Sequence, residues 1–246
     1  MSCRPAAVTG GHGPIPLCVP RDRAKQAAGT GARWDAGQRC FFWDSGIASI
    51  PENGPIRAFL PFRFRPDRRP PYVRPWMVPQ SLWGWNLRAM LRREDWDRIR
   101  RDAYRRAGYR CRICGGAGPD HPVEADEGWA YDDTRFVQVL KGVIALCPDC
   151  HAVRHWGRSM ATGKEQHVLR WLAWINGWTY AEARVCADEA MALWHWRSGH
   201  TDWTCDIRWV EKVFGVRPVA DAMDRAAATQ QGLIALARQS RDGEMR

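Results

Sequence analysis

Lysine is nearly missing from this chain of 246 residues: four Lys stand against 33 Arg. A coding bias toward arginine accounts for part of that ratio, so the total by itself selects no partner. Long apolar runs are missing as well. The longest purely apolar stretches, such as Gly142 to Cys147, fall far short of the roughly 20 residues that a membrane helix needs. That excludes a helical membrane span and sets the expectation of no membrane partner. The opening stretch, Met1 to Pro20, is rich in Gly and Pro and lacks the apolar centre of a secretory signal. Pairing rhythm is absent from five of the nine cysteines. Cys3, Cys18, Cys40, Cys186 and Cys205 are scattered and odd in number, which argues against a disulfide framework and for a reducing cytoplasm. No internal repeat is apparent.

What is present is a concentrated charge. The net charge is +10, and the stretch from Arg63 to Arg112 holds 15 Arg, no Lys and five acids. The remaining chain carries 22 basic and 22 acidic residues and is neutral, so one 50-residue stretch supplies the whole excess. Such a block suits a phosphate-binding surface, and a solvated arginine-rich face is the plainer alternative. Arg63, Arg65, Arg68, Arg69, Arg74, Arg98, Arg101 and Arg105 are the candidate nucleic-acid contacts. DNA is the expected partner, and RNA stays open. Fifteen tryptophans run through every segment. Stacking against bases is one use for them. Core packing is the expected one for most, because many lie at helical spacing with Leu and Ile.

The strongest motif is a pair of knuckles, Cys111-Arg-Ile-Cys114 and Cys147-Pro-Asp-Cys150, with 32 residues between them. Thiols at i and i+3 share one tight turn and can share one metal, so four at this spacing point to a tetrahedral structural zinc. The second knuckle runs directly into His151 and His155. If a helix starts there, the two imidazoles share a face one turn apart.

Around the knuckles the chain divides into four parts: a small module over 1–45, a Pro/Arg-rich linker over 46–92, a zinc domain over 93–160 and a helical region over 161–246. Residues 1–14 are expected to be disordered. A strand is expected at Leu17-Cys18-Val19, a short helix from Asp22 to Ala28, and a strand at Cys40 to Trp43. The prolines between 46 and 80 fix φ and remove donors, which predicts extended chain rather than sheet, docked by Trp76, Trp83 and Trp85. A helix from Glu94 presents Trp96, Ile99, Ala103 and Ala107 on one stripe and ends at Gly108. Val123 to Asp126 reads as a short strand, and 136–140 and 143–146 as apolar segments. A helix over His151 to Trp156 is expected to stop at Gly157. Thr162-x-x-Glu165 and Thr179-x-x-Glu182 read as capping boxes. Gly177 and Gly199 follow helix ends. Ile207 to Phe214 reads as a short helix or strand, and Ala222 to Arg238 as a terminal helix.

Two resemblances add to this reading. Gly31-Ala32-Arg33-Trp34-Asp35 resembles the signature of a small module of unknown function found in plasmid and phage proteins beside primase-like or nuclease domains. That likeness covers about 30 residues and carries no chemistry with it. From about Val78 to Phe214 the chain resembles an HNH-endonuclease-like family of phage and bacterial proteins. The likeness rests on Trp96-Asp97, on Ala107 through Gly115, on Val123-Glu124-Ala125-Asp126-Glu127-Gly128-Trp129-Ala130-Tyr131-Asp132-Asp133, on Gly142 through His151, and on His155-Trp156-Gly157.

The resemblance implies an α+β fold: a central zinc-stapled ββα-metal motif, a mostly helical C-terminal part and a small α/β N-terminal module. It implies that a hairpin and a helix hold one divalent cation that neutralises the scissile phosphate, while a base at the end of the first strand activates water. His151 and His155 fall where the terminal histidines of that motif lie. Asp126 becomes a cation ligand, suited to Mg²⁺ or Mn²⁺, and Glu127 takes the place of the general base. The catalytic set is then Glu127, Asp126 and His151. The chain departs from the family in having Glu rather than His at the base position and Gly142 where the central Asn stands. Glu is the weaker base unless burial raises its pKa. His121 is a spare imidazole, an alternative ligand or base.

Three readings follow: a metal-dependent endonuclease hydrolysing DNA, a catalytically inactive zinc-stapled nucleic-acid binder, and a protein of a mobile element that docks a partner through its N-terminal module or Trp-rich helices.

Overall fold

The computed structural model describes residues 14–64, 69–118 and 121–244. Arg65, Arg68, Cys3 and nearly all of the stretch expected to be disordered, 1–14, lie outside the described residues. The fold is α+β, and its centre is a long hairpin.

Strands β4 (Glu124–Asp132) and β5 (Val137–Leu146) pair antiparallel, in a register that sets Asp126 opposite Ile144 and Glu127 opposite Val143. β4 runs well past the short strand expected at Val123 to Asp126, and β5 joins the expected apolar segments 136–140 and 143–146 into one strand. The pairing shifts register at Gly128/Trp129, where Gly128 faces Gly142, and an irregularity at small residues lets the ladder continue. At the tip, Asp132 Oδ1 accepts from the N–H groups of Thr134 (3.2 Å) and Arg135 (3.0 Å), which closes the turn as an Asx-type loop.

Side chains alternate across a strand, and here the alternation separates two cores. Ala125, Trp129, Leu140 and Val143 pack with α3 (Arg93–Arg106), through its Trp96, Ile99 and Ala103. Leu146 and Ile144 pack on the other side with the knuckle cysteines, α4 (Pro148–Arg154) and α6 (Glu165–Asn176). A third strand, β6 (Thr204–Asp206), joins β5 in parallel. It leads into α8 (Arg208–Phe214), and α9 (Ala222–Glu244) closes the chain.

The small N-terminal module is a three-stranded antiparallel sheet in the order β1 (Ile15–Leu17), β3 (Cys40–Trp43), β2 (Arg33–Asp35), with α1 (Ala24–Gly29) between β1 and β2. Among the described residues of 46–92 there is no strand, and only α2 (Leu87–Met90) and 3-10 turns interrupt the irregular chain. Their side chains are nevertheless anchored. Ile50, Ile56, Phe59 and Leu60 complete the core of the small module, Val73 enters the zinc-side core, and Leu87, Met90 and Leu91 enter the other. Buried Asn176 holds the extended part: its Oδ1 accepts from Tyr72 N–H (2.6 Å) and Val73 N–H (3.3 Å), and its amide donates to Val73 O (2.9 Å).

Two local expectations need correction. Gly157 does not stop a helix. The break falls at His155, whose ψ of 46° leaves the helical region, and α5 (Trp156–Ala161) starts directly afterwards. A Cβ at Gly157 would come to 3.0 Å from Met77 Cε, the free end of a flexible side chain. Thr162 forms no capping box with Glu165, because its hydroxyl donates back to Arg158 O (2.9 Å) at the end of α5, and α6 starts without a side-chain cap. The second box does form, at the start of α7 (Tyr180–Ser198): Thr179 Oγ1 accepts from Glu182 N–H and Glu182 returns a bond to Thr179 N–H. Gly177 ends α6 in the left-handed conformation (φ 70°), whereas Gly199 ends α7 in the right-handed one. No helix among the described residues is long and apolar enough to cross a membrane.

Candidate metal centres

The end of α3 delivers the first knuckle. Gly108 and Tyr109 both take positive φ (58° and 56°) and turn the chain into Cys111. Cys111 C=O then accepts from Gly115 N–H (2.9 Å), while Cys111 N–H donates to Gly116 O (2.8 Å). The second knuckle is the first turn of α4, with Pro148 at its start, where a missing N–H costs nothing.

All four cysteines are buried, and their sulfurs lie within 4.8 Å of one another. The Cys114–Cys147 separation of 3.6 Å is far from the ~2.05 Å of a disulfide. It is close to the edge, about 3.8 Å, of a tetrahedron with metal–sulfur bonds of about 2.3 Å. N–H groups point at the sulfurs: Ile113 N–H at Cys111 (3.4 Å), Gly116 N–H at Cys114 (3.3 Å) and Trp171 Nε1–H at Cys150 (3.3 Å). Burial raises the Cys111 thiol, yet hydrogen bonds from the other three outweigh it and bring Cys111 well below its ordinary pKa. Hydrogen bonding to Cys111 raises Cys114 and Cys147, and burial raises Cys150. A divalent cation at this cluster would supply the positive charge that lets all four thiols ionise. The donor set fits a structural zinc.

A second cluster lies beside the first. Asp126 points from β4 toward α4 and is only 4% exposed. His151 sits on α4, and His155, whose N–H donates to His151 O (3.0 Å), follows one turn later on the same face. Asp126 Oδ1 lies 3.3 Å from His155 Nε2 and 3.7 Å from His151 Nε2. The two rings stand edge to face at 4.4 Å. One donor atom from each residue falls within 4.8 Å of the others. The His151 side chain is 19% exposed and that of His155 45%, so the cluster opens to solvent on the His155 side.

Asp126 Oδ2 ion-pairs with Arg154 Nε but accepts no hydrogen bond from the described residues. The two atoms are in close contact, while the N–H is not directed at the oxygen. Arg154 thus occupies Oδ2, and the oxygen left for a cation is Oδ1, which faces the two histidines. Burial raises Asp126, but His155 and Arg154 together hold it below its ordinary pKa. The Arg154 guanidinium lies over the Trp76 ring (5.1 Å) and donates to Glu127 O (3.1 Å).

Two residues of this cluster, Arg154 and Glu124, had no role in the sequence reading. Glu124 Oε2 contacts His151 Nδ1, and its Oε1 lies 2.8 Å from His121 Nε2. The bond to His151, against burial, pulls the Glu124 carboxyl down to about 2. Spacing alone could have found both. Glu124 is two residues before Asp126 on one strand face, and Arg154 is one turn after His151.

Glu127, expected as the base, is not brought to the cluster. It leaves the opposite face of β4, and its Oε1 accepts from Leu87 N–H (2.7 Å). Burial there, with a smaller contribution from Asp126, pushes it up to about 7. Gly142 lies at the irregular pairing with Gly128, beside the Trp209 indole.

The arginines divide in the same way. Arg63 is turned inward: its guanidinium donates to Trp174 O and lies over the rings of Phe64 (4.6 Å) and Trp174 (5.1 Å), and burial lowers its pKa. Arg69 and Arg74 are exposed. Arg98, Arg101 and Arg105 are exposed along α3, each against an acid of the same helix: Asp95 (3.5 Å), Asp97 (3.5 Å) and Asp102 (3.0 Å). Exposed pairs of this kind are weak, so these guanidinium groups can exchange partners.

Compared with family models, curated proteins and solved structures, the chain matches none. Its class therefore rests on its own geometry: an α+β protein with a buried four-cysteine cluster suited to a structural metal.

Proposed function

We propose that the chain is a metal-dependent phosphodiesterase of the HNH type that hydrolyses DNA. The observation that carries this reading is the convergence of Asp126, His151 and His155 on one open cluster beside the four cysteines. Those three residues would hold a catalytic Mg²⁺ or Mn²⁺, and two imidazole nitrogens favour Mn²⁺ of the pair. When bound, such a cation neutralises the scissile phosphate and the leaving oxygen. Asp126, Glu124 and Arg154 sum to one negative charge. A divalent ion leaves the site one positive, which matches a single phosphodiester. The exposed ring of His155 marks the side from which substrate enters. With Glu127 on the far face of the strand, His121 is the exposed imidazole at the edge of the cluster able to take a proton from water. Arg98, Arg101 and Arg105 would trade their helix acids for backbone phosphates.

The placement of Glu127 and the Arg154–Asp126 pair favour a second reading, a nucleic-acid binder that does not cut. Plasmid nicking with Mg²⁺ or Mn²⁺ separates the two. The nuclease reading expects nicking by the wild type and its loss in His151→Ala. Cutting that survives unchanged in His151→Ala removes this site. Salt-sensitive binding without any cutting supports the second reading.

A further inference from the structure

We infer that Glu124 is the positioning residue of the cation cluster: it fixes the tautomer and ring orientation of His151 and thereby sets the affinity for a divalent ion. The inference rests on reading Asp126, His151 and His155 as a cation site. Glu124 and Asp126 are two apart on β4 and so share a face. Glu124 Oε2 meets His151 Nδ1, while His151 Nε2 is the nitrogen turned to Asp126 Oδ1 at 3.7 Å. A carboxylate at Nδ1 holds the proton there and leaves the Nε2 lone pair facing the cluster, which is the form that ligates a metal. The second oxygen of Glu124 is also held, by His121 Nε2 at 2.8 Å, so the carboxylate is fixed at both ends. His155 has no such backing from a carboxylate at its other nitrogen among the described residues, and its ring is the more exposed of the two. The better-ordered ligand is therefore His151, and its order comes from Glu124.

The test uses the zinc-loaded full chain. Mn²⁺ binding is measured by calorimetry for the wild type, Glu124→Ala and Glu124→Gln, and the His151 tautomer is read by ¹⁵N NMR before Mn²⁺ is added. Glu124→Ala is expected to weaken Mn²⁺ binding about 10- to 100-fold, the usual effect of losing such a partner, and to lose the Nδ1–H form of His151. Glu124→Gln keeps an oxygen that accepts from Nδ1–H, so it is expected to recover most of both. Unchanged zinc content in each variant shows that the fold is intact. Equal Mn²⁺ affinity in Glu124→Ala and wild type, or an unchanged tautomer, overturns the inference while leaving the cation site standing. A wild type that binds no Mn²⁺ overturns the site and the inference together.

Discussion

Arg154 and Asp126 form an ion pair inside the candidate cation cluster, with Arg154 Nε against Asp126 Oδ2 while Oδ1 faces the two histidines. One carboxylate therefore serves an internal cation through one oxygen and offers the other outward. Arg154 also ties the cluster to the chain around it: Trp76 lies under its guanidinium, and Trp76 N–H donates to Arg154 O (3.0 Å).

Removing Arg154 leaves Asp126 buried and uncompensated. Breaking such a pair from one side costs about 3–5 kcal/mol. Arg154→Leu is thus expected to melt well below the wild type without divalent ions. It should regain part of the loss when Mn²⁺ is added, because the vacated charge favours a cation. Thermal melts with and without Mn²⁺ check this. A variant as stable as the wild type shows that the pair is not needed to hold Asp126.

The four-cysteine cluster is expected to hold one zinc per chain. Cys150→Ser replaces a fully buried ligand that also receives Trp171 Nε1–H. A site of this kind contributes folding energy outright. The variant, and the wild type treated with a strong chelator, should lose zinc and cooperative near-ultraviolet signal together. Metal analysis and circular dichroism check it. A zinc-free protein with an unchanged melting transition contradicts the assignment.

The parts of this molecule that were legible from the residues alone are those set by local spacing. Two i, i+3 thiol pairs need no tertiary information to be matched, and His151 and His155 share a face because a turn of helix separates them. What escaped depends on the partner surfaces. The resemblance puts Glu127 at the base position beside Asp126, yet adjacency on a strand means opposite faces. The residue that shares the Asp126 face is Glu124. Arg63 looked like a phosphate contact by charge, but its burial against Trp174 is a contact across 111 residues that no local pattern contains. The Thr162 box failed because the preceding helix claims the Thr162 hydroxyl first.

Asn176 supplies a stability prediction that is independent of any metal. It is 3% exposed and satisfies two N–H groups and one carbonyl of the extended segment at Tyr72 and Val73. Asn176→Leu conserves volume but strands those buried backbone groups. Each stranded group costs about 1–3 kcal/mol, so a loss of several kcal/mol is expected in denaturant unfolding. Faster proteolytic cutting between residues 64 and 80 should accompany it. Unchanged unfolding together with unchanged cutting rejects the anchor.

Glu127 gives the chain a pH signature. Its carboxyl sits at about 7 in the folded state, raised by burial, against about 4.3 in an unfolded chain. Below about pH 4 both states are protonated and the burial carries no ionic penalty. Between the two values the folded state binds the extra proton, so stability falls as pH rises toward 7 and the full penalty remains above it. Glu127→Gln keeps an oxygen to accept from Leu87 N–H and has no charge to bury. The variant is therefore expected to match the wild type near pH 4.5 and to exceed it at pH 8. Melts of the zinc-loaded protein across that range, without other divalent ions, check the sign. A wild type that gains stability over Glu127→Gln as pH rises indicates that the carboxylate is stabilised in its charged form, and that its environment is not the desolvated one described above.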